Sequence, residues 1–165
     1  MTPATGCRYT LTPAADLAVF HAADAAHYRR TGRSDVLNLV TPQVFASIYE
    51  GCPSRGFAHD GQPIGGMLFH DGQPHIAVLP GHYGHWTPLL RPALDWLFGL
   101  CSEMRVPIEA DNRLALAFMA RNGWPEITPD AAEARSRPDA RFFLVSRQPR
   151  PLRRGRPEAA HASNR

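Results

Sequence analysis

Apolar runs alternate with turn residues over positions 56–79, and this pattern predicts three antiparallel strands. Residues 59–63 read His-Asp-Gly-Gln-Pro, and the same five residues recur at 70–74. Asp-Gly between apolar runs favours a tight hairpin, because both residue types tolerate positive φ. Since the turns account for Asp and Gly, the repeated His-Asp pairs do not indicate a metal site. The expected meander has strands at 56–59, 64–69 and 75–79.

Before this meander the sequence predicts a short strand and two helices. Residues 8–11 form the strand. The Thr-Pro pairs at 12–13 and 41–42 each place a capping residue before a proline at the first helical position. We therefore expect one helix from Pro13 to about Arg30 and a second that ends at Gly51.

After the meander, apolar residues recur with the spacing of one helical face. They are Trp86, Leu89, Leu90, Ala93, Leu94, Leu97 and Cys101. A proline inside a helix costs ~3 kcal/mol. We therefore expect regular helix to begin near Arg91, with Pro92 in its first turn.

The next segment predicts a strand at 106–110 and a capped helix. Asp111 or Asn112 provides the cap, and Gly123 ends the helix in the left-handed conformation. A final strand is expected at 142–145, after a loop at 125–140. The apolar stripe of this last helix consists of Leu114, Ala115, Phe118 and Met119.

This order of elements resembles the acyl-coenzyme A core of the GNAT family of N-acyltransferases. The resemblance is carried by residues 75–124 and above all by 112–124, which run from an asparagine to Gly-Trp and are similar to the family's asparagine-to-Gly-Phe signature. It implies one α/β domain with a mixed, mainly antiparallel twisted sheet, splayed near Leu79 and strand 106–110, and helices on both faces. The implied function is transfer of an acyl group, first of all acetyl from acetyl-CoA, to a small-molecule or protein amine acceptor.

The resemblance also implies where acetyl-CoA binds. The strand at 75–79 offers backbone groups to the pantetheine arm, and the following loop and helix N-terminus bind the pyrophosphate. The family's glycine-rich loop corresponds here to residues 80–88, Pro-Gly-His-Tyr-Gly-His-Trp-Thr-Pro. The expected cofactor-binding residues are Ala77, Val78, Leu79, Gly81, His82, Gly84, His85 and Asn112.

Two residues are candidates for the base that takes a proton from the amine. His75 has a side chain that titrates near neutral pH, and it shares a strand face with Ala77 by two-residue alternation. Glu109, on the second strand, is the other candidate. Met119 stands where many family members have a tyrosine that protonates the leaving thiolate, and a thioether has no proton to donate.

Composition limits the remaining possibilities. At 165 residues and 44% hydrophobic content the chain suits a single domain. It has no run of about 18 apolar residues and no charged and apolar leader, so we expect a cytoplasmic protein without a membrane partner. Cys7, Cys52 and Cys101 lack C-x-x-C spacing, and no metal site is expected.

All 18 basic residues are arginines, and they are unevenly distributed. The last 19 residues hold six arginines and one glutamate, a net charge of +5, which leaves −2 for the rest. We expect a domain at 1–147 and a basic, proline-rich flexible tail at 148–165. The tail either keeps the protein soluble or binds nucleic acid or another acidic surface.

Two further functions remain open at this point. A GNAT-like protein without catalytic activity, such as a phage virion or assembly component, fits the bulky loop, Met119 and the basic tail. CoA-dependent modification of nucleic acid is the third possibility. The sequence specifies neither the acceptor nor the oligomeric state.

Overall fold

The computed structural model describes residues 8–147; residues 1–7 and the basic tail at 148–165 lie outside this range. The described chain forms seven strands, six α-helices and one 3₁₀ turn at Pro80–His82. In chain order they are β1 Tyr9–Thr12, α1 Leu17–Arg30, α2 Asp35–Leu39, α3 Pro42–Tyr49, β2 Ser54–His59, β3 Gln62–His70, β4 Gln73–Val78, α4 Thr87–Leu100, β5 Glu103–Glu109, α5 Arg113–Arg121, β6 Glu126–Ile127, α6 Ala131–Ser136 and β7 Ala140–Ser146.

The strands form two antiparallel sheets, and one edge of the first sheet faces one edge of the second. The first sheet has the order β1-β2-β3-β4 and the second has the order β5-β7-β6. Strands β4 and β5 are therefore edge strands, and they lie side by side without a ladder between them. This separation is the splay expected near Leu79 and strand 106–110. None of the helices described here is long and apolar enough to cross a membrane.

Helices cover both faces of the first sheet, because neighbouring residues on β3 and β4 point to opposite sides. Leu68 and Ala77 pack in one core with residues of α1 and α3. Met67 and Val78 pack in the other core with residues of α4, α5 and the second sheet. The α/β fold with helices on both faces is confirmed.

The two predicted hairpins are also confirmed. Asp60 and Gly61 have φ values of 48° and 78°, and Asp71 and Gly72 have values of 49° and 74°. These left-handed conformations match a two-residue turn of type I′. The first turn pairs His59 of β2 with Gln62 of β3, and the second pairs His70 of β3 with Gln73 of β4.

The first helix begins later than expected. Thr12 pairs with Gly56 as the last residue of β1, and its hydroxyl donates to the carbonyl of Ala14 at 2.9 Å. The cap is instead Asp16, whose carboxylate accepts from the amide of Val19 at 3.0 Å. At the second Thr-Pro pair no strand competes, and Thr41 caps α3 as expected.

Helix α4 begins at Thr87, four residues before the expected start, and includes Pro92 in its interior. A proline at this position leaves the carbonyl of residue 88 without its helical partner. Pro88 and Pro92 are both exposed, so water can solvate that carbonyl. The prediction of a later start was wrong because burial of Leu89, Ala93 and Leu97 on one face of α4 offsets the hydrogen bond lost at Pro92.

The expected loop at 125–140 contains β6 and α6. Asp130 caps α6 in a capping box with Glu133, and the Asp-x-x-Glu spacing at 130–133 is the sequence signal for this helix. Arg105 of β5 binds the same Glu133 carboxylate at 2.7 Å and thereby holds α6 against the second sheet. Leu114, expected in the buried stripe of α5, is 53% exposed.

Gly65 provides a test of the close packing between β3 and β4. It has φ of +143°, and a Cβ there would lie 2.1 Å from the carbonyl oxygen of Ala77. Since backbone strain and a backbone clash would add, we expect Gly65→Ala to lower the free energy of unfolding by at least about 2 kcal/mol in urea titrations.

The matched control is Gly99→Ala, on an exposed face of α4 where an added Cβ meets nothing within 4 Å. This substitution is expected to raise the free energy of unfolding by about 0.5–1 kcal/mol. Equal stability of Gly65→Ala and the wild type would contradict the described approach of β4 to β3.

Candidate functional site

A cleft of about 630 Å³ opens where β4 and β5 separate. Residues of both strands and of helices α1, α3, α4 and α5 line it. Its volume lies in the range of ordinary ligand sites, roughly 300–1,000 Å³. The cleft is therefore large enough for an extended organic ligand that lies along the two strands.

The edge of β4 presents unpaired backbone groups to this cleft. The amide of Leu79 donates to the carbonyl of Ile64 on β3 at 2.8 Å. Backbone groups alternate along an antiparallel strand, so Ala77 also bonds toward β3, whereas the N–H and C=O of Ile76 and Val78 point toward β5. These are the groups that an extended chain could bind by adding itself as a strand.

The facing edge of β5 contains Pro107, which has no N–H. The amide of Ala110 donates to Asp139 in the turn before β7, so alternation directs residue 107 toward the cleft. A proline is tolerated there because no ladder bond is lost. Extended ligands would accordingly bond to β4, and β5 would supply the opposite wall.

His75 lies on the cleft side of β4 that faces α3. Its ring lies 5.6 Å from the ring of Tyr49, and Tyr49 in turn lies 5.2 Å from His70. Burial lowers the pKa of His75 below its usual value, and the positive charges of His70 and Arg137 lower it further. The imidazole is therefore neutral, with a free lone pair, at pH 7.

Glu109 ends β5 at the same cleft and is 3.9 Å from the guanidinium of Arg137. Both side chains are close to half exposed, so the pair contributes little to stability. Its effect on the site is electrostatic. The negative charge of Glu109 raises the pKa values of Asp24, Tyr28 and His75.

The structure adds Asp24 and Tyr28 of α1 to the cleft, two residues that the sequence analysis missed. Burial raises the pKa of Asp24 to about 6, and burial together with the charge of Asp24 raises the pKa of Tyr28 to about 12. A signal for Asp24 was present, because it follows the buried Phe20 by four residues and so lies on the same helical face. An acid on the buried face of a helix is a functional candidate.

The loop after β4 brings only some of its expected residues to the cleft. Gly84 lines it, together with Tyr83 and Trp86. Gly81 and the exposed His85 do not line it. His82 turns away, and its Nδ1 lies 3.3 Å from the hydroxyl of Tyr9.

The start of helix α4 is crowded by aromatic side chains. The ring of Trp86 stacks on Phe57 at 5.3 Å, so the tryptophan belongs to the core as well as to the cleft wall. Leu79 packs into the core beneath α1 and α3 and does not line the cleft.

Asn112 and Met119 lie on the opposite wall, on the helix that follows β5. Asn112 caps α5, with its side-chain oxygen accepting from the amide of Ala115 at 3.1 Å, and also lines the cleft. Met119 is 6% exposed and lines the same wall. Of the expected site residues, those that meet at the cleft are His75, Ala77, Val78, Gly84, Glu109 and Asn112.

Among the described residues, no group of three or more His, Cys, Asp or Glu side chains is arranged to hold a metal ion. The two described cysteines, Cys52 and Cys101, are free thiols.

Comparison with known proteins gives matches in structure and none in sequence. No family model matches the chain, and no curated protein matches it. The PaiA N-acetyltransferase from Thermoplasma acidophilum, solved with coenzyme A, superposes with a TM-score of 0.57 at 13% identity, over 84% of this chain and 99% of its own. YncA from Salmonella typhimurium, solved with acetyl-CoA, superposes with a TM-score of 0.56 at 16% identity, over 92% and 98%.

The ribosomal-protein-S18-alanine N-acetyltransferase from Escherichia coli is similar over 88% of this chain and 99% of its own, with a TM-score of 0.52 and 17% identity. At such identities the likeness shows the fold and not the reaction. The chain has the fold of these acetyltransferases, which it also shares with an acetyltransferase of the GNAT family from Streptococcus pneumoniae at a TM-score of 0.51 and 12% identity.

Proposed function

We propose that this protein transfers an acyl group from acyl-CoA, in the first instance acetyl-CoA, to an amine. The observation that carries the proposal is the cleft between the edges of β4 and β5, with the unpaired backbone groups of Ile76 and Val78 on one side. An acyl-pantetheine arm has amide groups along an extended chain. Such a chain can bind to an open strand edge as an additional strand.

The titratable groups of the cleft suit the proposed reaction. The neutral imidazole of His75 accepts a proton from the bound ammonium, the amine nitrogen attacks the acyl carbonyl, the new C–N bond forms and the C–S bond breaks. The nitrogen then loses its second proton, which passes through water to the leaving thiolate, because Met119 has no proton to give. Most of the acceleration would come from holding amine and thioester in position.

A second candidate function is binding of CoA without catalysis. It is favoured by the buried Met119 in the cleft wall and by the Phe57–Trp86 stack at the start of α4. The phage-assembly alternative rests partly, and nucleic-acid modification wholly, on the basic tail at 148–165, which lies outside the described residues. Turnover with bound acetyl-CoA separates the catalytic from the non-catalytic function.

Binding is tested first by thermal unfolding with CoA. A ligand at a hundred times its dissociation constant stabilises a fold by ~2.7 kcal/mol. We expect millimolar CoA or acetyl-CoA to raise the melting temperature by several degrees. ATP, which shares the nucleotide but has no pantetheine arm, is the control ligand and should raise it much less. An unchanged melting temperature with CoA would exclude acyl-CoA as a substrate.

The role of His75 is tested by comparing His75→Ala with Glu109→Gln. A general base contributes about 10²- to 10⁴-fold, so we expect His75→Ala to lower kcat with acetyl-CoA at least about a hundredfold. Glu109→Gln should lower it less, since Glu109 acts on the site through its charge. A loss below about threefold in His75→Ala would remove His75 from the mechanism.

The same enzyme should keep activity at mildly acidic pH. The pKa of His75 lies below its usual value, so the neutral base persists below pH 6.5. The acidic limb of kcat/KM, measured at saturating acetyl-CoA, is expected to fall with an apparent pKa below 6.5. An apparent pKa above 7 would indicate that a different group is titrating.

A further inference from the structure

A second, smaller cavity of about 120 Å³ lies next to the cleft, between α1, α2 and α3. Four residues line both spaces and so form their common wall: Asp24, Tyr28, Phe45 and Tyr49. The far side of the smaller cavity, which we call the side pocket, is apolar apart from His21. Its other lining residues are Ala25, Val36, Leu37, Val40 and Ile48.

Asp24 is the acidic group on the common wall. Within residues 8–147 its carboxylate takes part in no hydrogen bond or ion pair. The basic side chain that acts on its pKa is His21, and that ring is engaged elsewhere, with Nε2 2.8 Å from the carbonyl of Val40. A partly buried carboxylate without a partner favours a cationic ligand.

Aromatic rings line the same wall as this carboxylate. Phe45 is stacked on Phe20 with ring centroids 5.8 Å apart, and Tyr49 lies 4.5 Å from Phe45. Aromatic faces stabilise an ammonium group within about 6 Å of a ring centre. The common wall thus combines the two kinds of group that recognise an alkylammonium ion.

We infer that the acceptor is a small primary amine carried on an apolar group, with its ammonium paired to Asp24 and its apolar group in the side pocket. This inference rests on the proposed acyl transfer, and it names the acceptor class for the same cleft. The size of the side pocket sets the limit: an engineered apolar cavity of roughly 150 Å³ takes up benzene. The side pocket, at about 120 Å³, is smaller than that cavity, so we expect it to take a branched chain of four or five carbons rather than a larger group.

The test is calorimetric titration of amines into protein saturated with CoA, at pH 7.5. The probes are methylamine, 3-methylbutylamine and the uncharged 3-methylbutan-1-ol. Each buried methylene favours binding about fourfold, so 3-methylbutylamine should bind at least about tenfold more tightly than methylamine. It should also bind at least about tenfold more tightly than the alcohol. Equal affinity for the two amines would overturn the inference.

Two variants separate the carboxylate from the pocket. Asp24→Asn should lower the affinity for 3-methylbutylamine at least about tenfold and leave the affinity for the alcohol unchanged. Val36→Phe should fill the side pocket and remove the preference for 3-methylbutylamine over methylamine. Val44→Phe, on α3 at a 41% exposed position that lines neither space, is the matched control. An effect of Val44→Phe as large as that of Val36→Phe would contradict the assignment of the side pocket.

Asp24→Asn also reports on folding. The folded pKa of Asp24, about 6, lies above its unfolded value of 3.8. Between these values the folded state retains a proton that the unfolded state has lost, so the stability contributed by Asp24 falls as pH rises and is lowest above about pH 6. His21 lowers this pKa and Glu109 raises it; the Tyr28 and Tyr49 hydroxyls stay neutral, since their pKa values are raised.

We therefore expect the melting temperature of Asp24→Asn to be higher than that of the wild type at pH 8 and equal to it at pH 4. A lower melting temperature at pH 8 would mean that a partner in the fold already pairs the carboxylate, and the inference would fail.

The acyl-transfer proposal and the acceptor inference can fail separately. If CoA binds and no amine prefers the side pocket, only the acceptor inference is wrong. If CoA does not bind, acyl transfer is wrong, and titration of the free protein with the same amines still tests the side pocket.

Discussion

The site depends on the absence of pairing between β4 and β5. Each strand is the edge of its own sheet, and the two edges face each other across the cleft. An unpaired strand edge in solution exposes hydrogen-bonding groups and favours association with another chain. Here the helices on both faces and the facing edge of the second sheet enclose it, so the groups of Ile76 and Val78 are open only to a ligand of narrow cross-section.

The position of this edge follows from how tightly β4 packs on β3. Gly65 admits the carbonyl of Ala77 where any side chain would collide with it. The Asp-Gly turn at residues 71–72 sets the register of the hairpin. With the register fixed, alternation decides that His75 and Ala77 face α1 and α3, whereas Val78 faces α4. Local backbone geometry in β3 thus determines which side chains of β4 face α1 and α3 in the cleft.

Much of this fold follows from local signals in the sequence. The Asp-Gly repeat predicts the meander because turn chemistry there is strict, and Asn112 and Gly123 mark both ends of α5. The prediction failed where tertiary context opposes the local signal. Thr12 has the sequence of a cap but is held in the β1–β2 ladder, and Pro92 is accommodated because its side of α4 is exposed.

The candidate site is less predictable, because its residues come from elements distant in sequence. His75 and Glu109 could be found from the strands that flank the splay. Asp24 joins them only because α1 crosses β3 and β4, a packing that no local pattern specifies. His82 shows the reverse: its place in the loop suggested a phosphate contact, yet the ring turns to Tyr9 on β1. Spacing along the chain gives the order of the loop residues but not the direction of each side chain.

The central claim is that the free edge of β4 binds the pantetheine arm of CoA. Amide hydrogen exchange resolved by residue, with and without CoA, tests it most directly. The amides of Ile76 and Val78 are expected to exchange quickly in the free protein and to become protected when CoA is bound. Those of Ala77 and Leu79 are bonded to β3 and should be protected in both states. Binding of CoA without added protection at Ile76 and Val78 would contradict the account.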